Sequence, residues 1–394
     1  MDSRPDPGGL KQTYRLLALC ARAEPHPVFY DQLRVRLAAF RHWDDLPAQA
    51  ELLGMAPLFW HHVHAAKIAL PEDTERTLHA LYLRQRLLNQ AHLQVLLQII
   101  PLFQGAGIRA LLLKGLALAH QYYPDPALRP VSDIDFLLPR ADVLPALDVL
   151  TAAGFRVDSP VHATAGLFPR ELAADSPPKD GLRTHVELHH YHPPRATPYH
   201  DARADELSGL DASPQALTIG EGVVNVPAPI DTLIYLSRHL RRHLFESTDR
   251  RPLSLKWTAD MVSLVEKHAA EWDWAALQRH HPDLLGRLEV FYSLTPMPDR
   301  FVGLIPIRPP SPLRGPNLYP QAWPQHAWSD RKKVGLVRFL LQTFAPPSDW
   351  WLRLYYGIRA RSTSWRGQVV HRLLIVKLVR TALLRKTRGA ARAA

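Results

Sequence analysis

Apolar residues over the first hundred positions recur at intervals of three and four, the spacing of amphipathic helices. The pattern predicts helices at residues 13–22, 27–43, 52–66 and 74–100. We therefore predict an N-terminal helical domain over residues 1–104. The pattern changes at Gly107, where short apolar runs begin to alternate with helical ones.

The part of the chain after Gly107 has the alternation of an α/β core. It predicts strands at residues 108–113, 131–138, 155–157, 182–190 and 222–226 and helices at residues 116–123 and 141–153. We assign residues 105–226 to this core. The predicted fold class is α+β, with a small mixed sheet and flanking helices inside a mostly helical chain.

Helical patterns return in the last third of the chain. Residues 230–239 and the segment from 253 onwards predict a helical domain at residues 227–290 that packs on the core. Prolines mark residues 291–330 as a connection, and residues 331–394 form a basic helical C-terminal region. Its apolar stretch with interspersed cations is typical of a helix that either lies on an anionic membrane or packs on the protein body.

Composition narrows the class of protein. The chain has 394 residues, 46% of them hydrophobic, which is enough to bury the cores of two or three domains. The single cysteine excludes an internal disulfide framework and, with a polar N-terminus, predicts a cytoplasmic protein, with a possible peripheral membrane contact through the basic C-terminal helix. The net charge of +11 favours anionic partners without choosing among nucleotides, nucleic acids and membranes.

Candidate chemistry is concentrated around two aspartates. Asp133 and Asp135 are two positions apart in a predicted strand, so both carboxylates are expected on one face of the sheet. Paired carboxylates are tolerated beside a cation, and hard oxygen ligands suit Mg²⁺ or Mn²⁺. Upstream, Lys114 and Gly115 join a strand to a helix, a turn where a phosphate could bind. An Asp-x-Asp also occurs in exposed loops, and a strand-end lysine can simply extend into solvent.

These residues carry a family resemblance. The run LLLKGLALAHQYYPDPALRPVSDIDFLLP resembles the core of the uncharacterised bacterial nucleotidyltransferase family of the DNA polymerase beta-like superfamily. The shared signature is a Leu-Lys-Gly turn, an arginine and Asp-Ile-Asp, and softer similarity extends over residues 25–285. The resemblance implies two Mg²⁺ or Mn²⁺ ions, an NTP substrate such as ATP, and transfer of its NMP group to a hydroxyl with release of pyrophosphate.

The resemblance also implies residue roles. Asp133, Asp135 and Glu187 are expected to bind the metals and catalyse transfer, Glu187 as the third carboxylate from a neighbouring strand. Nucleotide-binding roles fall to four residues: Lys114, Gly115, Arg129 and Ser132. Possible acceptor or supporting contacts are His185, His189, His239 and Asp260. For His239 and Asp260, an ordinary buried hydrogen bond between helices is an equal alternative.

Two alternatives stay open at this stage. His185, Glu187 and His189 share one face of a predicted strand and could themselves bind zinc, with His190 and His192 nearby. The protein could also be a non-catalytic nucleotide-binding or membrane-peripheral regulatory protein on the same fold. The acceptor, whether a small molecule, a sugar or peptide intermediate, a protein or RNA, is not encoded in any motif.

Overall fold

The structure is a computed structural model. It describes residues 7–157, 171–190, 207, 209–246, 254–308, 349–359, 369, 371–373 and 376. In these residues the fold is α+β, as predicted, with one mixed sheet and many helices.

Helices form the N-terminal segment, as predicted. They are α1 (Pro7–Leu19), α2 (Pro27–Ala38), α3 (Leu46–Leu52), α4 (Ala56–Ala65) and α5 (Glu72–Gly105). The helix predicted at residues 52–66 corresponds to α4, but it begins later, at Ala56, because the chain turns between α3 and α4. Gly54 has a φ of +71°, a backbone conformation that interrupts a right-handed helix and that glycine adopts readily.

A seven-stranded sheet forms the core. Its strands are β1 (Leu111–Leu112), β2 (Asp133–Leu138), β3 (Arg156–Val157), β4 (Glu171–Asp175), β5 (His185–His190), β6 (Gln215–Ile219) and β7 (Gly222–Val226). The order across the sheet is β3-β4-β5-β2-β1-β7-β6, which puts β2 at the centre. β2 pairs in parallel with β5 and antiparallel with β1.

One face of the sheet is apolar and packs against helices. Ile134, Phe136 and Leu138 of β2 join Val186 and Leu188 of β5 in one buried hydrophobic cluster with residues from α5 and from α7 (Val143–Ala152). Because side chains alternate along a strand, the polar residues of both strands project from the opposite face. The alternation predicted for residues 182–190 is therefore confirmed.

Two strands were missed by the sequence analysis. β4 and β6 lie in segments for which the sequence analysis predicted no strand. β6 is an edge strand with mostly exposed side chains, so it lacks the apolar alternation that marks a half-buried strand.

Further α-helices in the described part of the chain are α6 (Leu116–Tyr122), α8 (Pro229–Glu246), α9 (Leu255–His268), α10 (Trp274–His280), α11 (Pro282–Leu294) and α12 (Asp349–Tyr356). The chain divides into two compact units. The first contains the described residues within Met1–Pro193, Leu207–Tyr235 and Ser254–His268, and the second those within Leu236–Leu253 and Ala269–Ala394. The domain boundaries expected from the sequence stay a prediction.

In the second unit, Arg287 of α11 is fully buried and donates hydrogen bonds to the carbonyls of Leu354 and Tyr355 in α12. Most of the basic C-terminal region and of the proline-rich connection lies outside the described residues. Among the helices that the structure describes, none is both long and apolar enough to cross a membrane.

Candidate active site

The polar face of the sheet brings acidic residues of two strands together. In the parallel register of β2 and β5, Asp133 lies opposite His185 and Asp135 lies opposite Glu187. Paired residues on neighbouring strands project to the same side of a sheet. Asp135 and Glu187 therefore face the same space, although 52 positions separate them in the sequence (187 minus 135).

Asp135 is the most deeply buried carboxylate of this group, with 1% of its surface exposed. Its Oδ1 accepts hydrogen bonds from Lys114 Nζ and His189 Nε2, each at 3.0 Å. Burial opposes ionisation of Asp135, but the two cationic partners outweigh it and hold its pKa well below the usual range. Its second oxygen, Oδ2, is buried without any hydrogen-bond partner among the described residues.

His189 connects the two acidic side chains. Its Nε2 lies 3.0 Å from Asp135 Oδ1 and 3.2 Å from Glu187 Oε2. Burial alone would lower the pKa of His189, but its hydrogen bonds to Asp135 and Glu187 outweigh burial and raise the pKa to about 9. Without a bound ion the imidazole is thus a cation that two carboxylates share, and a metal ion bound at Nε2 would take the place of its proton.

His185 supports Glu187 from the other side. Its Nδ1 lies 2.9 Å from Asp175 Oδ1 on β4, and its Nε2 lies 3.7 Å from Glu187 Oε1. The hydrogen bond to Asp175 fixes the direction of the ring. Asp175 had no role in the sequence analysis, because its strand was not recognised.

One group of side chains in the described residues has the geometry of a metal site: Asp135, Glu187 and His189. One ligand atom from each lies within 4.8 Å of the other two. The separations of 3.0 and 3.2 Å from the imidazole nitrogen match neighbouring ligands of an octahedral ion, which lie about 3 Å apart at about 2.1 Å from the metal. The partnerless Oδ2 of Asp135 adds a further oxygen, so these residues fit a divalent cation.

Asp133 is outside that group. It lies half-buried at the start of β2, and its Oδ1 accepts a hydrogen bond of 3.1 Å from the exposed Ser132 hydroxyl. Two of the three residues of the zinc alternative, Glu187 and His189, belong to the described metal group, and His185 does not. Of the strand's histidines, only His189 belongs to the described metal group, since His185 is turned to Asp175, and His192 lies outside the described residues.

The turn after β1 lies directly against β2. Gly115 has φ +58° and ψ −119°, and a Cβ at this position would lie 3.2 Å from the backbone oxygen of Asp133. Glycine alone adopts this conformation without strain. Lys114 is thereby held beside Asp135, whose charge raises the lysine pKa despite burial.

Arg129 does not face the solvent. Its guanidinium is buried and donates from Nε and Nη2 to the two oxygens of Asp260, both at 2.8 Å. Tyr123 donates a third hydrogen bond, also 2.8 Å, to Oδ1 of Asp260. The fork of donors that a phosphate would use is thus engaged by α9. Asp260 therefore holds Arg129 in place, and its expected role at the site stays a prediction.

His239 lies in the second unit and forms a 2.9 Å hydrogen bond with His243. Lys256 was overlooked in the sequence, although it lies four residues before Asp260 on α9 and so shares a helix face with it. Its Nζ donates to the carbonyl of Pro130, just before β2, at 3.2 Å.

Comparison with known proteins gives one family. The model of an uncharacterised nucleotidyltransferase family matches residues 40–295, which include both site strands, the Lys114–Gly115 turn and α9. No curated protein matches the chain. The match covers well over half of the sequence and contains every residue of the metal group, so the chain belongs to this uncharacterised nucleotidyltransferase family.

Proposed function

We propose that the protein is a metal-dependent nucleotidyltransferase that moves an NMP group from an NTP to a hydroxyl-bearing acceptor. One observation carries this proposal. Asp135 and Glu187 project together from paired strands, and His189 Nε2 lies within 3.2 Å of an oxygen of each. Acidic groups converge in this way where a cation is bound.

The protein would hold divalent cations with Asp135, Glu187 and His189, and Asp133 would supply a further oxygen from the same strand. Bound metal would neutralise phosphate charge and lower the pKa of the attacking hydroxyl. An imidazole nitrogen in the set favours Mn²⁺ over the harder Mg²⁺, because Mg²⁺ prefers oxygen ligands.

Nucleotide binding falls to the turn after β1. Lys114 uses one N–H group for Asp135 and would direct the others to the β- and γ-phosphates. Gly115, with no side chain, lets the backbone approach the phosphates closely, and the exposed Ser132 hydroxyl would add a hydrogen bond. We assign Arg129 a positioning role, because Asp260 engages its guanidinium.

The transfer step is an in-line displacement. The acceptor oxygen forms a bond to the α-phosphorus while the bond to the bridging oxygen breaks, and pyrophosphate leaves. Glu187 would accept the proton of the acceptor hydroxyl. The chain contributes chiefly position and charge, which are the main sources of catalysis in phosphoryl chemistry.

The test is transfer of label from NTPs. The purified chain is incubated with each NTP labelled at the α-phosphate, Mn²⁺ or Mg²⁺, and a cell extract as the source of acceptor. We expect metal-dependent transfer of label to an extract component with release of pyrophosphate. Asp135→Asn should abolish transfer, whereas Asp148→Asn, an exposed carboxylate on α7, should leave it unchanged. Equal transfer by the native chain and Asp135→Asn, or no transfer with any NTP, contradicts the proposal.

A further inference from the structure

A concave region lies beside the start of β2. It is a pocket of about 230 Å³, bounded by the α3–α4 turn, α5, α9 and the segment leading into β2. Its polar side chains come from separate parts of the first unit: Glu51, Arg84, Gln85, Ser132 and Lys256. Ser132 lines the pocket and also donates to Asp133, so the pocket opens next to the metal-binding strand.

The backbone around Lys256 is fixed by contacts with the α3–α4 turn. Ser254 Oγ and the Lys256 amide both donate to the carbonyl of Leu53, at 3.0 and 3.3 Å. A Cβ at Gly54 would lie 3.0 Å from Lys256 Cβ, so glycine is what allows this close approach. The start of α9 is therefore built tightly onto the turn, and the lysine side chain is directed along the pocket wall.

The ammonium group of Lys256 has unused donors. It donates to Pro130 O at 3.2 Å, and within the described part of the chain this is its one hydrogen bond. Arg84, by contrast, is paired with Glu51 at 2.5 Å. The two remaining N–H groups face the pocket, where water or an anion can accept them, and an anion would also compensate the partly buried charge.

The charges around Lys256 point to the sign of that ligand. Burial, and then repulsion from Arg129, lower its pKa to about 8, while Asp260 and Asp133 act in the opposite direction and Lys114 adds to the repulsion. At neutral pH the side chain is still mainly protonated. An anion in the pocket would relieve both the burial of this charge and its repulsion by two neighbouring cations.

We propose that this pocket is an anion subsite, in which Lys256 binds a phosphate or carboxylate group of a substrate. Its anion-binding property stands on the pocket and on Lys256. Its assignment to a substrate rests on the proposed nucleotidyltransferase function. The anion belongs either to the nucleotide or to the acceptor, and the two sources are separated by experiment.

The first experiment is protection of Lys256 from acetylation in the full chain. Acetic anhydride is applied at pH 8, with and without inorganic phosphate, pyrophosphate or succinate, and each lysine is quantified by peptide mass spectrometry. We expect at least one anion to slow labelling of Lys256, by about tenfold when the anion is present at about ten times its dissociation constant. Lys67, an exposed lysine, should be labelled at the same rate throughout. If Lys256 is labelled as fast with each of the three anions as without any anion, the proposal is overturned.

Variants give an independent measurement. Lys256→Met should abolish binding of the protecting anion in calorimetry, and Lys256→Arg should retain it, with circular dichroism confirming the fold of both. Binding by Lys256→Met as tight as by the native chain overturns the proposal. If Lys256→Met does not fold, the protection experiment on the native chain still decides.

The source of the anion is found by repeating the protection with ATP and Mn²⁺. Protection by ATP in the native chain that is lost in Asp135→Asn assigns the subsite to the nucleotide. If small anions still protect Lys256 in the presence of ATP and Mn²⁺, and ATP itself does not protect it, the subsite is assigned to the acceptor. Anion protection without any NTP turnover would overturn the proposed function and leave the subsite intact. Turnover without protection would overturn the subsite alone.

Discussion

Arg129 and Asp260 form a forked ion pair in the interior of the first unit, with both hydrogen bonds at 2.8 Å. Arg129 is 4% exposed and Asp260 is 1% exposed. Burial would lower the pKa of Arg129, but the negative charge of Asp260 outweighs the effect of burial, so the pKa is raised. The pair joins α9 to the residues that lead into β2, and so fixes the position of Asp133 through the backbone.

Breaking this pair should destabilise the protein strongly. Asp260→Leu leaves a buried guanidinium without its counter-charge, which costs about 3–5 kcal/mol. The double variant Arg129→Met/Asp260→Leu should lose less stability than the summed losses of Arg129→Met and Asp260→Leu, because it removes both charges. The measurement is a double-mutant cycle on thermal unfolding. Asp31→Leu, which removes an exposed pair with Arg34, should cost about 1 kcal/mol or less. Additive single effects would contradict the coupling.

His189 should decide which metal is bound. His189→Gln removes an imidazole nitrogen from the metal group, so affinity for Mn²⁺ should fall about tenfold or more while affinity for Mg²⁺ changes less. Calorimetry with each ion, together with the electron paramagnetic resonance signal of free Mn²⁺, measures both affinities. His280→Gln, at an exposed position on α10, is the matched control. Native Mn²⁺ affinity in His189→Gln would exclude this residue as a ligand.

Gly115→Ala should damage the turn that holds Lys114. The added Cβ would lie 3.2 Å from Asp133 O, and the φ of +58° is strained for alanine, at a cost of about 1–3 kcal/mol. We expect a lower melting temperature and weaker NTP binding. Gly105→Ala is the control, since a Cβ there meets nothing within 4 Å and the residue ends helix α5. Gly115→Ala with unchanged melting and nucleotide affinity would show that the turn tolerates a side chain.

His62 should make the first unit sensitive to acid. It is fully buried, its Nε2 lies 2.8 Å from Arg22 O, and burial lowers its pKa from 6.5 to about 3. The unfolded state protonates His62 more readily than the folded state does. The contribution of neutral His62 to stability is therefore complete above pH 6.5 and is lost as the pH falls towards 3. The loss is about 1.4 kcal/mol for each pH unit at most.

The measurement for His62 is the melting temperature between pH 7 and pH 4. His62→Gln cannot take up the proton, so its melting temperature should fall less steeply with acid than that of the native chain. The slope is the quantity compared, because the substitution also changes stability at neutral pH. Identical slopes would show that another group controls the acid response.

Sequence patterns were informative where one element has one buried face. The alternation in β5 predicted correctly that Val186 and Leu188 face the core while Glu187 and His189 face the other side. The family signature led to Asp135 and Lys114, which the structure brings to 3.0 Å of each other. Local spacing carries this information because side-chain direction repeats along a strand.

Other parts of the site depend on contacts between distant segments. The sequence gives Asp133 and Asp135 equal weight, but only Asp135 has partners on both β5 and the β1 turn. The engagement of Arg129 depends on a residue of α9 that is 131 positions away. Lys256 became a candidate only because α9 begins on the α3–α4 turn, a contact that no local pattern encodes.

The parallel pairing of β2 with β5 determines when the metal group can exist during folding. Asp135 and His189 are 54 positions apart, and parallel strands can meet only after a long crossover has closed. A nascent or truncated chain that ends before β5 contains Asp133 and Asp135 but neither Glu187 nor His189. Under the proposed function, tight cation binding would therefore be a late event in folding, because the ion would find its ligands only in the finished sheet.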